Sequence, residues 1–107
     1  EATGRVPSSY RPPYGVFSAG ALALVRELGL APLLWSRWGR DWGSRETPEL
    51  IARRATRNLG DGDVVLLHDA DHYSAPGSWR RTAAALPSVL ARAAASGLTL
   101  VSASQDV

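Results

Sequence analysis

The chain predicts an α/β fold with a parallel sheet, its elements in the order β-α-β-α-β-α-β, and three observations carry that prediction. Val64–Leu67 is a run of branched aliphatics without polar alternation, the habit of a strand buried on both faces. Ser18 and Thr47 stand where helix N-caps belong, each ahead of an apolar helical pattern. Gly29 and Gly97 follow such patterns where a left-handed residue ends a helix. Strands alternating with helices imply right-handed crossovers and parallel neighbours.

Taken in order, residues 1–9 are polar and turn-rich, with Gly4 and Pro7. Ser9–Arg11 closes a short strand before Pro12 and Pro13 stop ladder pairing, and Pro13 biases Pro12 to extended geometry. A helix over Ala19–Leu28 places Leu22, Val25 and Leu28 on one face. Ala31–Trp35 reads as the second strand, followed by the loop SRWGRDWGS. Thr47, Pro48 and Glu49 open a helix to about Asn58, with Leu50 and Ile51 facing inward and Gly60 ending it. Asp61–Asp63 turns into the Val64–Leu67 strand, and Asp69–Ser78 is a long polar loop. A third helix covers about Trp79–Ser96, with Pro87 expected to kink it or split off its first turns. Leu98–Ser102 is the last strand.

The 107 residues fit one small domain, and no apolar run approaches a membrane span. With no cysteine, disulfides, thiolate metal sites and cysteine nucleophiles are excluded. Every basic residue is Arg, and the net charge of +2 is spread among acids, so no nucleic-acid footprint stands out. Arg53, Arg54 and Arg57 read as a solvated helix face. The chain begins with Glu1 and carries no leader pattern, so it does not report its own address.

In parallel folds chemistry gathers where strands end. RPPYG follows the first strand, Asp41–Trp42 the second and His68–Asp69 the third. Parallel strands therefore bring three scattered loops to one sheet edge. His68 is a candidate proton donor or acceptor, with a loop histidine making one hydrogen bond as the plain alternative.

RPPYG, WSRWGRDW and VVLLHDAD, in this order and spacing, resemble the polysaccharide deacetylases, that is carbohydrate esterase family 4 or the nodulation-deacetylase homology domain. TGRVPSSY ahead of RPPYG and GLTLVSAS at the last strand match as well. The resemblance implies a deformed (β/α) barrel and a metal-dependent hydrolase of non-peptide C–N bonds, removing acetyl groups from amino-sugar glycans of chitin or peptidoglycan type. It covers the last three of five family motifs. The two that supply the catalytic base and the metal ligands normally precede RPPYG and are missing here, so residues 1–107 correspond to a C-terminal portion of the catalytic domain.

HDADH, from His68 to His72, has the two-histidine spacing of the missing metal motif. It lacks the Ser/Thr of that motif, follows a buried strand and comes after RPPYG. His68 is accordingly assigned to the last motif and His72 to the loop, with no metal ligand in the chain. By resemblance, His68 is the general acid and Asp41 the carboxylate that holds it. Arg11 pairs with the absent base, and the Tyr14 backbone N–H stabilises the oxyanion. Trp42 and Leu66 wall the acetyl pocket, and Trp38 stacks on sugar or shields the loop. Each has a plain alternative, Arg11 as a surface charge, Asp41 as a cap or turn acid, and Trp42 and Leu66 as ordinary core. Taken singly, that alternative prevails for Arg11 and Leu66; taken together in family order, the functional reading prevails. Arg37 and Trp38 depart from the smaller residue and acid usual ahead of the Asp–Trp pair, which leaves substrate preference open.

The resemblance further implies a divalent metal, zinc by preference, in the full enzyme, an amino-sugar glycan as substrate, the missing half of the domain as partner, and a cell-envelope or secreted location. The competing readings are a non-catalytic carbohydrate-binding or assembly module using Trp38, Trp42 and Tyr73, and another barrel hydrolase acting through Asp41 or Asp69. Four strands of a barrel leave edges and an apolar face uncovered. The isolated chain is therefore expected to associate or to dissolve poorly; a monomer with a sharp cooperative melt in ultracentrifugation and calorimetry would contradict this.

Overall fold

Each strand among the described residues is two residues long and finds one parallel partner. The computed structural model describes residues 4–103. The elements are β1 (Ser9–Tyr10), a 3₁₀ turn (Pro13–Gly15), α1 (Ala19–Glu27), β2 (Ala31–Pro32), β3 (Arg37–Trp38), α2 (Pro48–Ala55), β4 (Val65–Leu66) and α3 (Ser78–Ala95). They fall into two compact units, Trp35–Leu100 and the remainder.

In the unit containing the N-terminal segment, β1 and β2 run parallel with Ser9 opposite Ala31 and Tyr10 opposite Pro32. The Ser18 hydroxyl accepts the Ala21 N–H at 3.1 Å, capping α1 as expected. At the other end, Leu30 N–H reaches the Val25 carbonyl and Gly29 N–H the Arg26 carbonyl, with Gly29 at φ 69°. That pair of bonds is a Schellman motif. Val25 is buried, but Leu28 sits at the helix end and stays exposed, against the expectation that it shares the inner face.

In Trp35–Leu100, β3 and β4 are parallel, with Arg37 opposite Val65 and Trp38 opposite Leu66. Ile51, Ala52, Ala55, Ala85 and Val89 form the core between α2 and α3, with Val65 and Leu67 packed against it. Alanines at the contact let the helices approach closely, and Ile51 fills the remaining volume. Thr47 caps α2 through the Leu50 N–H. The helix ends at Ala55, earlier than the expected Asn58, where the chain instead turns with φ 52°.

Three expectations need correction. The four-stranded sheet is two separate pairs. The predicted Ala31–Trp35 strand is only Ala31–Pro32, with Leu33 N–H bonded to the Tyr10 carbonyl. A further strand, Arg37–Trp38, forms within the expected loop SRWGRDWGS, where Ser36 and Arg37 N–H groups bond to the Val64 carbonyl. One extended segment thus serves two different neighbours in succession, and no closed barrel is present among the described residues. Residues 98–102 form no strand: Leu100 and Val101 remain exposed, so no burial draws them into a ladder. Pro87 neither ends α3 nor splits it. Pro87 and Ala83, whose carbonyl loses its helical donor, both face solvent, where water replaces the bond. No helix among the described residues is long and apolar enough to cross a membrane.

Gly39 leaves β3 toward the core with no room for a side chain, since an added Cβ would lie 2.7 Å from Leu67 Cδ2 and 2.8 Å from Ile51 Cγ2. Gly39→Ala is expected to destabilise Trp35–Leu100 by about 1–3 kcal/mol through overpacking, read from urea midpoints at unchanged m.

Candidate active site

The segment after β3 turns sharply. Arg40 takes a left-handed backbone, φ 52°, which is unfavourable for a residue with a Cβ. Its guanidinium lies over the Trp38 ring at 5.4 Å. The turn carries Asp41 inward until only 1% of it is exposed.

Three donors meet the Asp41 carboxylate. His68 N–H, just past β4, donates to Oδ2 at 2.7 Å. The Thr82 hydroxyl of α3 donates to the same oxygen at 2.7 Å. Oδ1 lies 2.8 Å from His68 Nδ1. Burial pushes the Asp41 carboxyl up, but the bonds from the His68 ring, the His68 N–H and Thr82 together hold it below the ordinary carboxylate value. The carboxylate is therefore ionised and can only accept, so Nδ1 carries the proton in the Oδ1 contact. His68 Nε2 is left for other partners on a side chain that is 43% exposed.

Trp42 stands edge-on to the His68 ring, with centroids 5.9 Å apart and planes at 88°. Its carbonyl accepts the Ala75 N–H at 2.9 Å. The next carbonyl, Gly43, accepts from Arg81 Nη2 at 2.8 Å. Three consecutive residues after the turn are thus tied to the start of α3 and the loop before it.

Of the residues singled out from the sequence, Asp41, His68 and Trp42 come together. Leu66 is half-buried on β4, two residues ahead of His68. Trp38 instead meets Trp35 edge-on at 6.2 Å and lines a groove of about 510 Å³ with Ser36, Arg37, Arg40, Arg54, Arg57 and Asn58, which neither Asp41 nor His68 reaches. Arg11 and Tyr14 belong to the other unit, just past β1. Tyr14 is 83% exposed, with a left-handed backbone at φ 57°. His72 and Asp69 are exposed loop residues. Asp71 closes that loop by accepting the Gly77 N–H at 2.5 Å.

Thr82 and Arg81 escaped the sequence reading. A signal existed for the first: Ser78, Thr82, Ala85, Val89 and Ala93 form one helical stripe, and all are buried. Polar residues at the start of an otherwise apolar stripe need a partner.

Parallel strands with a buried carboxylate charged against an imidazole at their C-terminal ends define an α/β chain equipped for proton transfer. The chain is 34% identical over 97 residues to a chitooligosaccharide deacetylase of Azorhizobium caulinodans, covering 85% of this chain and 46% of that protein. It is 31% identical over 102 residues to a peptidoglycan-N-acetylglucosamine deacetylase of Bacillus cereus, covering 92% and 45%. A family 4 carbohydrate esterase from Streptomyces lividans, solved in complex with acetate, superposes with TM-score 0.73 at 30% identity, covering 94% of this chain and 48% of the other. No family model matches the chain. The chain belongs with the polysaccharide deacetylases, as a C-terminal part of them. It spans slightly less than half the length of these relatives.

Because folding lowers the proton affinity of Asp41, the unfolded chain binds more protons in acid. Stability from this group is present above 3.8, its ordinary value, and is lost as pH falls through the lowered folded-state value. Asp41→Asn is expected to lose about 1.5–3 kcal/mol at neutral pH, and the gap from the native protein should close below that value. Urea unfolding across a pH series checks both.

Proposed function

We propose that this chain is the C-terminal part of the catalytic domain of a metal-dependent polysaccharide deacetylase with a deformed (β/α) barrel. The whole enzyme hydrolyses N-acetyl groups on amino-sugar glycans, and chitooligosaccharide and peptidoglycan, named for two relatives, are the substrates to try first. The observation that carries the reading is the Asp41–His68 contact at 2.8 Å, with the imidazole half open to solvent.

In this reading Asp41 orients the ring and holds its Nδ1–H. His68, in its doubly protonated form, gives its Nε2 proton to the sugar amine as the bond from that amine to the acetyl carbon breaks. Trp42 and Leu66 form the apolar wall beside the acetyl methyl. Tyr14 offers its backbone N–H to the tetrahedral oxyanion, and its left-handed backbone at φ 57° supports that role. Arg11 pairs with a catalytic base outside this chain. Trp38, held by Arg40 and Trp35, fits loop shielding better than sugar stacking.

Among the described residues, no group of three or more His, Cys, Asp or Glu side chains is placed to hold a metal ion. The residues present therefore do not fit the divalent metal of the family. The zinc proposed for the whole enzyme belongs to residues outside this chain. Proton donation and pocket formation are the steps that fall to this one, and by itself it is expected to be inactive.

Acetate release from chitooligosaccharide and peptidoglycan fragments, with added zinc, should appear in a longer form and not in this chain. His68→Ala in the longer form should lower kcat by about 10²–10⁴. Glycan binding by the longer form without acetate release would instead support a non-catalytic module, and cleavage between sugars would point to another hydrolase.

A further inference from the structure

We propose that Thr82 is a positioning residue, whose hydroxyl fixes the plane of the Asp41 carboxylate and thereby the tautomer of His68. The inference rests on the reading above for its catalytic meaning, but its geometry stands independently.

The two oxygens of Asp41 are unequally loaded. Oδ2 takes the His68 N–H and the Thr82 hydroxyl, each at 2.7 Å, whereas Oδ1 faces the His68 ring. Without Thr82 both oxygens would be held by His68 alone, and carboxylate and ring could shift together. Two donors on Oδ2, from the end of β4 and from α3, remove that freedom and aim Oδ1 at Nδ1. With its ionised partner fixed there, the imidazole keeps one proton on Nδ1, so the proton exchanged with the substrate is the one carried by Nε2.

Thr82 is built for this. It is buried, and its branched Cβ limits the side chain to two rotamers in the helix. Its hydroxyl has a second acceptor within reach, the Ser78 carbonyl one turn back, but at 3.4 Å against 2.7 Å for the carboxylate. The single hydroxyl proton therefore goes to Asp41, the shorter and charged contact. Helix α3 is held in place by its packing against α2, so the hydroxyl is delivered by the core and not by a mobile loop.

The test reads the ring itself. Nitrogen-15 spectra of the histidine rings are recorded at neutral pH for the native chain, Thr82→Val and Thr82→Ser, with His72→Gln assigning the second histidine. The native chain and Thr82→Ser should show a slowly exchanging proton on His68 Nδ1. Thr82→Val should show mixed tautomers and faster exchange, with the circular dichroism of the native chain. If Thr82→Val does not fold, Thr82→Ala takes its place.

A folded variant lacking the hydroxyl that keeps the native Nδ1–H signal and exchange rate overturns the proposal. So does a Thr82→Ser variant that loses them, because packing of the methyl group would then be what matters. In a longer form that releases acetate, Thr82→Val should lower kcat on the order of tenfold with KM unchanged, and Thr82→Ser should restore it. An unaltered kcat overturns the proposal as well. Absence of acetate release from the native longer form, beside the expected spectra, would refute the deacetylase reading alone.

Discussion

A carboxylate buried to 1% exposure must be surrounded by donors, and that requirement organises Trp35–Leu100. The donors come from sequence positions 27 and 41 residues away. To deliver His68, β4 must pair with β3 in the observed register, Trp38 opposite Leu66. A slip of one residue would carry the His68 N–H away from Oδ2 and turn Leu67 from the core. To deliver Thr82, α3 must pack on α2 with its small residues inward. The core positions the pair, and the pair in turn penalises any other register.

The other end of the same strands carries a second acidic latch. Ser36 donates its hydroxyl to Asp63 at 2.6 Å and accepts the Val64 N–H at 3.0 Å. Asp63 also takes the Gly60 N–H at 2.9 Å and lies 3.3 Å from Arg37 Nε. The Ser36 hydroxyl and Gly60 N–H, aided by the Arg37 charge, hold Asp63 below its usual range despite some desolvation. Two-residue strands have few ladder bonds of their own, so register here depends on side chains at both ends. The latch at Asp63 ties strand starts together, with all its partners within Ser36–Val64. The one at Asp41 ends in a half-exposed imidazole, which is what separates a structural tie from a candidate site.

Much of this was legible in the residues. The caps at Ser18 and Thr47, the glycine ends of α1 and α3, the parallel pairing and the meeting of Asp41 with His68 all follow from local chemistry and strand direction. Extents were not. Strand length depends on which neighbour supplies the ladder, and nothing in Ala31–Trp38 says that its two ends bond to different partners. Leu98–Ser102 has a strand-like composition, but composition confers no partner. Thr82 was hidden because a hydroxyl on an Ala-rich helix reads as neutral until the opposite carboxylate is seen. Trp38 misled for the opposite reason: a loop crowded with tryptophans suggests sugar stacking, whereas alternation sends Trp38 and Asp41 to different surroundings.

The loop Asp41–Gly43 shows why rigidity and exposure coexist at one place. Its side chain, first carbonyl and second carbonyl are engaged in order by Thr82, Ala75 and Arg81. With the backbone so held, Trp42 does not need burial to be ordered, and it remains 43% exposed. Its edge-on contact places the positive ring edge or the negative face against the imidazole in a fixed way, and a stacked pair would instead cover both rings. An aromatic surface and a proton-carrying nitrogen are thereby presented together from a backbone that cannot adjust. The turn after β3 supplies the anchored carboxylate, His68 and the helix supply its donors, and the groups left over reach solvent.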